Sequence, residues 1–279
     1  AVPIEDGVVL HYTERGTGEP IIFVHGLSSD LSFWSRQVEE FAKKGYRAIA
    51  YSRRYNHPND NELRPDHSAI VEAADLARFI KKLDLEQAHV VGFSYGALTA
   101  LVLALDHPEL VRSVTLAEPP IVSWLDDLPG DNAGAGKAHR KKLMNEGIRP
   151  TKMAFDSGNE EKAMRTMMDC IGGKGTFDAF PEFVKMKCRQ NVREMIAIVS
   201  SKAPYPDIDR ERVRKLAVPT LILSGRDTVA TAKWTDPELE RLVPERFRKR
   251  VVLDGASHIM WVQRPVQSRN AVLAFLQGK

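Results

Sequence analysis

The run with the clearest chemical promise is Gly92-Phe93-Ser94-Tyr95-Gly96, a serine with a glycine two residues to either side. A hydroxyl is a weak nucleophile until a neighbouring base takes its proton; activated, it attacks acyl carbon and forms a covalent ester. The run lies where an apolar stretch, His89–Phe93, meets a helical pattern, Tyr95–Asp106. A serine on so tight a strand-to-helix turn adopts a strained backbone, and glycines flank it because side chains there would collide with strand and helix. The turn lifts the hydroxyl above a sheet and sets a helix N-terminus behind it, where negative charge is stabilised. A second run, Val24-His25-Gly26-Leu27-Ser28-Ser29, follows the apolar stretch Ile21–Val24. The backbone N–H groups of Leu27 and Tyr95 are the expected donors to the oxyanion of a tetrahedral intermediate. His25 is read as a residue that organises this loop at the edge of the pocket, rather than as a second base.

These runs need elements to hold them. From Gly7 to Leu116, β-type stretches (Val8–Tyr12, Ile21–Val24, Tyr46–Tyr51, His89–Phe93, Val111–Leu116) alternate with helical patterns (Phe33–Lys43, His67–Leu83, Tyr95–Asp106). In the second helix Ile70, Ala73, Ala74, Ala77, Ile80 and Leu83 recur at helical spacing. Continuous apolar strands alternating with helices imply βαβ units and a doubly wound, mostly parallel sheet. The rhythm stops between residues 121 and 206, where helical stretches are separated by Gly, Pro and charged residues. It resumes with Thr220–Leu223, a helix near Asp236–Leu242, Arg250–Leu253 and a closing helix Pro265–Leu276. The expected organisation is a core of residues 1–120 and 207–279, with 121–206 inserted as a helical cap. Seven of the eight methionines fall in the insertion, between Met144 and Met195. Methionine fills irregular gaps and suits adaptable apolar surfaces, so these residues make either a small helical core or a substrate-facing lid.

Composition narrows the function. With 43% apolar residues there is material for one large core. The 40 basic and 37 acidic residues are interleaved, for a net charge of only +3, which argues against a nucleic-acid partner. The densest basic runs, His139–Lys142 and Arg246–Arg250, read as solvated faces. No apolar run approaches the roughly 18 residues of a membrane span. Cys170 and Cys188 have no zinc-site spacing and are either bridged or free. No metal or cofactor is expected. The chain opens at Ala1 without a signal-like segment, so the expectation is a cytoplasmic protein or the mature chain of an exported one.

Taken together, the His25-Gly26 loop, the Ser94 turn, the inserted cap and the segment Gly255-Ala256-Ser257-His258 resemble the α/β-hydrolase superfamily over nearly the whole chain. The resemblance implies that fold and makes His258, in the loop after the last strand, the base that activates Ser94. Its third member is a carboxylate that orients the imidazole. The family's usual slot, three residues past the glycine that ends the strand Thr220–Ser224, holds Thr228; Asp227 is one residue early. Some relatives, haloalkane dehalogenases among them, place a glutamate at the end of the preceding strand, and Glu118 stands there, 24 residues after Ser94. Glu118 is therefore favoured, with Asp227 the alternative. In place of the common Asp-x-Arg-Gly-type turn the chain has Tyr51-Ser52-Arg53-Arg54-Tyr55. An arginine here either meets an anionic substrate or pins the loop through carbonyls or a carboxylate.

A serine rather than an aspartate at position 94 disfavours epoxide and haloalkane hydrolysis, since those reactions need an ester-forming carboxylate nucleophile. The expected substrate is a small or medium carboxylic ester or lactone, partly apolar, in a pocket walled by Trp124, Trp261 and the methionine-rich helices. The same constellation serves carbon–carbon bond hydrolysis or perhydrolysis, and some relatives keep it while acting as small-molecule receptors. A monomer or homodimer is expected.

Overall fold

The computed structural model describes residues 1–278. Val2–Glu5 (β1) and Val8–Leu10 (β2) form a separate antiparallel pair. The main sheet is built from Tyr12–Arg15 (β3), Glu19–Val24 (β4), Tyr46–Tyr51 (β5), Ala88–Phe93 (β6), Val111–Ala117 (β7), Thr220–Gly225 (β8) and Arg248–Leu253 (β9), in the order β3-β5-β4-β6-β7-β8-β9. Only β3 runs antiparallel to its neighbour. This is an α/β-hydrolase fold, with a mostly parallel sheet flanked by helices.

The central strands are apolar throughout because both faces are covered. Alternate residues point to opposite sides. Ile22, Val24, Val90, Leu116 and Ile222 pack under helices Ala69–Lys82 and Tyr95–Asp106. Ile21, Phe23, Val91, Ala117 and Leu223 pack under Ser35–Ala42 and Pro265–Leu276. Helix Ala69–Lys82 starts where the Ser68 hydroxyl accepts the Val71 N–H at 3.3 Å, an N-cap that replaces a missing backbone partner. Its buried face carries Ala73, Leu76, Ala77 and Ile80, together with the carboxylates Glu72 and Asp75; Ile70, counted in the apolar stripe, is exposed.

Most boundaries fall within one or two residues of the sequence expectation, and two elements depart further. The stretch Val8–Tyr12 is not one strand: the chain leaves β1 after Leu10, and Tyr12 begins pairing with β5. His11 at the switch is held by Asn59, whose Oδ1 accepts its backbone N–H at 2.9 Å. The helix expected near Asp236 starts at Ala230 and runs through Pro237.

Residues 121–206 contain no strand. Their helices include Ala133–Lys142, Arg149–Asp156, Glu160–Gly172, Glu182–Gln190 and Val192–Ser200. They enclose an apolar centre of their own, including Leu125, Leu143, Met164, Met167, Phe177, Met195 and Val199. The buried methionines therefore serve as core, while Met153 and Met186 are exposed on the surface. Cys170 and Cys188 are both free thiols.

Candidate active site

Strand register brings the chemical runs together. Val24 pairs with Gly92, and Phe93 with Ala117, so the loops that follow β4, β6 and β7 emerge side by side at one sheet edge. Open α/β sheets bind ligands in this region, beyond the carboxyl ends of the strands where their order reverses. Here β4 has β5 on one side and β6 on the other.

Ser94 stands at φ +53°, ψ −122°, a conformation that costs a non-glycine residue of order 1–3 kcal/mol. Hydrogen bonds hold it there: its N–H donates to Ala117 O at 2.8 Å, and its carbonyl accepts from Ala97 N at 2.8 Å. The flanking glycines are required by close backbone approach. A Cβ on Gly92 would lie 2.5 Å from Gly96 O, and one on Gly96 would lie 2.4 Å from both His25 O and Val24 O.

His258 lies 3.1 Å from Ser94 Oγ through Nε2 and 2.5 Å from Glu118 Oε2 through Nδ1. A carboxylate only accepts, so Nδ1 carries the proton, leaving Nε2 free to accept from the serine hydroxyl. The Phe93 ring packs against the imidazole at 5.0 Å between centroids. Glu118 is buried, at φ +54°. Its Oε1 accepts Gly225 N–H at 2.8 Å, and Oε2 accepts the Thr228 hydroxyl as well as His258. Thr228, the residue in the expected carboxylate slot, thus supplies a donor to the carboxylate that arrives from the neighbouring strand. Asp227 is exposed and holds the loop only through its backbone, donating to Ala256 O at 2.9 Å.

Leu27 and Tyr95 border the same cavity as Ser94, Glu118 and His258. His25 is wholly buried and does not line it. Its Nδ1–H donates to Gly26 O at 2.9 Å and its Nε2 accepts Arg53 N–H at 3.1 Å. Burial, reinforced by the Arg53 charge, pushes its pKa down to about 3, so it stays neutral and organises the loop. Arg53 is also buried. It donates to His25 O at 3.0 Å and Gly26 O at 3.1 Å, and pairs with Glu72 and Glu194. Arg54 is spent on Asp75 and Glu5. Both arginines pin loops, and neither reaches the cavity.

The tryptophans expected as pocket walls lie elsewhere. Trp124 is in the main core, its indole N–H donating to Ile208 O at 2.6 Å. Trp261 packs edge-on against Trp34, 4.8 Å between centroids, on the far face of the sheet. A large ring close in sequence to a site residue is drawn to whichever core offers the most buried area. The actual walls are mostly aliphatic: Leu27, Pro120, Val122, Leu143, Ile171 and Val229. Tyr205, Cys170, His139 and Thr231 add polar atoms. The space is about 650 Å³, counting the part open to solvent. His139, which the sequence placed in a solvated basic run, lies 2.9 Å from Thr231 Oγ1 and packs against Trp234. No local signal separated it from its charged neighbours.

The α/β-hydrolase-fold family profile matches residues 19–265, and the chain belongs to that family. The enol-lactonase from Burkholderia xenovorans LB400 shares the fold with a TM-score of 0.75 at 20% identity, covering 98% of each chain. A thermophilic esterase from Thermogutta terrifontis does so at 0.74 and 19% identity, covering 96% of this chain and 93% of that one. In sequence, a Mycobacterium tuberculosis protein provisionally named the non-heme bromoperoxidase BpoC is 27% identical over 269 residues, 95% of this chain and 97% of its own. No helix is long and apolar enough to cross a membrane among the described residues.

Proposed function

We propose that the protein is a serine hydrolase that cleaves a carboxylic ester or lactone through an acyl-enzyme on Ser94. The observation that carries this reading is the hydrogen-bonded line from Ser94 Oγ through His258 to Glu118, at 3.1 and 2.5 Å, opening into an aliphatic cavity. Ser94 Oγ bonds to the acyl carbon as its proton passes to His258 Nε2, and the carbonyl π electrons move to oxygen. The N–H groups of Leu27 and Tyr95 receive that oxyanion. As the tetrahedral intermediate collapses, the C–O bond to the alcohol breaks and the imidazolium returns its proton to the leaving oxygen. Water then attacks the acyl-enzyme by the same route, with His258 as base, releasing acid and restoring Ser94. Glu118 keeps the imidazole in the productive tautomer throughout. The largely aliphatic walls favour substrates with an apolar acyl or alcohol group, and the neighbouring folds that bear esterase and lactonase names agree with this chemistry.

The test is hydrolysis of a ladder of p-nitrophenyl esters and γ- and δ-lactones by wild type and Ser94→Ala, with fluorophosphonate labelling followed by peptide mass spectrometry. Wild type should turn over, carry the label on Ser94, and lose several powers of ten in rate on substitution. Full activity in Ser94→Ala would refute the assignment. Turnover confined to a vinylogous diketone would move the reaction to carbon–carbon cleavage.

A further inference from the structure

The cap reaches the oxyanion loop through one buried carboxylate. Glu194, on helix Val192–Ser200, is fully buried where this helix meets the loops after β4 and β5. Its Oε2 accepts the Ser28 N–H at 2.7 Å and the Asn56 side-chain amide at 2.8 Å, while Oε1 pairs with Arg53. Arg53 is held from the other side by Glu72 at 2.5 Å and donates through Nη2 to Gly26 O at 3.1 Å.

The two peptide units that meet at Leu27 are thus both gripped. The first joins the Gly26 carbonyl to the Leu27 N–H. Because a peptide is planar and trans, holding its oxygen on Arg53 and His25 aims its N–H the opposite way. The second unit joins the Leu27 carbonyl to the Ser28 N–H, and Glu194 holds that N–H directly. Ser28 stands at φ +55°, a left-handed conformation that is unfavourable without a glycine and persists only when its surroundings enforce it. One carboxylate from the cap therefore enforces the strained residue and orients the arginine that sets the unit before it.

We propose that Glu194 is a positioning residue that aims the Leu27 N–H at the reacting oxygen through its own contacts with Ser28 and Arg53. The inference rests on the hydrolase reading of Ser94. Losing Glu194 frees the Leu27–Ser28 unit and loosens the arginine that helps hold the Gly26 carbonyl, which weakens transition-state stabilisation while leaving the aliphatic walls that bind substrate in place.

The decisive variant is Glu194→Gln. The glutamine oxygen can satisfy either Ser28 N–H or Arg53, and its amide then sets a donor against the other. Arg193→Ala is the control. It lies on the same helix, and its guanidinium anchors the cap to Asp60 and to Asn61 O at 2.6 Å, away from the oxyanion loop. Two measurements are made on each purified chain: ester kinetics, and hydrogen exchange of the peptide spanning residues 25–29 by mass spectrometry. Glu194→Gln should lower kcat by about 10-fold or more, approaching at most the ~10²–10³-fold loss that removal of one oxyanion donor causes. KM should stay within about threefold, because binding common to ground and transition states is untouched. Exchange at residues 25–29 should rise, and Arg193→Ala should change neither quantity. Unchanged kcat, a change confined to KM, or the same loss in Arg193→Ala overturns the proposal. If Glu194→Gln does not fold, Glu194→Asp replaces it, since it keeps the charge but is a methylene short of reaching Arg53 and Ser28 together. A wild type inactive on every ester and unlabelled at Ser94 overturns the hydrolase reading instead, and the exchange comparison then decides by itself whether Glu194 holds the loop.

Discussion

Glu118→Gln separates the two candidate carboxylates and tests the tautomer argument directly. Glu118 Oε1 faces the Gly225 N–H at 2.8 Å, a backbone donor that cannot turn away. In the glutamine variant the amide oxygen must take that place, because an NH₂ group there would leave a buried donor unpaired at a cost of about 1–3 kcal/mol. The NH₂ group then occupies the position of Oε2, facing His258 Nδ1 and the Thr228 hydroxyl, which can rotate to accept. A donor opposite Nδ1 drives the imidazole proton to Nε2, where it points at Ser94 and can no longer accept the serine proton. Nearly isosteric replacement should preserve the fold and lower kcat/KM by about 10³–10⁴, the loss that a wrong tautomer causes in a serine–histidine–acid site. At 1.36 kcal/mol per decade this is roughly 4–5.5 kcal/mol of transition-state stabilisation. The assay is kcat/KM on the best p-nitrophenyl ester, with thermal unfolding of each variant to confirm an intact fold. Asp227→Asn, measured in parallel, should stay within about twofold of wild type, as expected for an exposed side chain away from the reacting groups. Near-normal turnover in Glu118→Gln, or collapse in Asp227→Asn, would refute the reasoning.

Two further predictions concern groups beside the site. Asp236 is fully buried with Oδ1 unpartnered, and burial pushes its carboxyl up to about 8 against an ordinary value of 3.8. Between those values the native state binds more protons than the unfolded chain, so this group's contribution to stability falls as pH rises. Asp236→Asn should therefore gain urea midpoint relative to wild type between about pH 4.5 and about pH 8.5; a constant difference would contradict the assignment. Of the two thiols, Cys170 borders the cavity, whereas Cys188 is buried and pushed up to about 11. A bulky disulfide reagent should label Cys170 first and slow ester hydrolysis, with Cys188 reacting only in denaturant; peptide mapping reads the order, and early labelling of Cys188 would show that this part of the cap opens readily.

What the sequence determined by itself is local. The Ser94 turn was legible because Gly92 answers to a close contact with Gly96 inside one strand–turn–helix unit and Gly96 to the adjacent strand end at Val24 and His25, and both requirements leave a fixed spacing in the chain. The βαβ rhythm was legible because strands covered on both faces are apolar at consecutive positions, as Ile21–Val24 are. His258 and Glu118 could be nominated because the resemblance to the α/β-hydrolase superfamily assigns roles to residues at their places after particular strands. The tertiary structure decided which carboxylate faces the imidazole: Glu118 and His258 are 140 residues apart, and their meeting depends on β8 lying beside β7, so that Gly225 N–H and Thr228 converge on Glu118. It also decided the cavity walls, since the path of residues 121–206 over the sheet edge brings His139, Cys170 and Tyr205 to Ser94 and sends Trp124 into the main core, while Trp261 packs against Trp34 on the other face of the sheet. Arg53 shows the division within one residue. Its sequence allowed either a substrate contact or a loop anchor, and burial between two carboxylates from distant elements decided for the anchor. Turn sterics and periodicity act over a few residues and can be read along the chain; the pairing of loop ends is set by sheet order and helix packing, which no local pattern encodes.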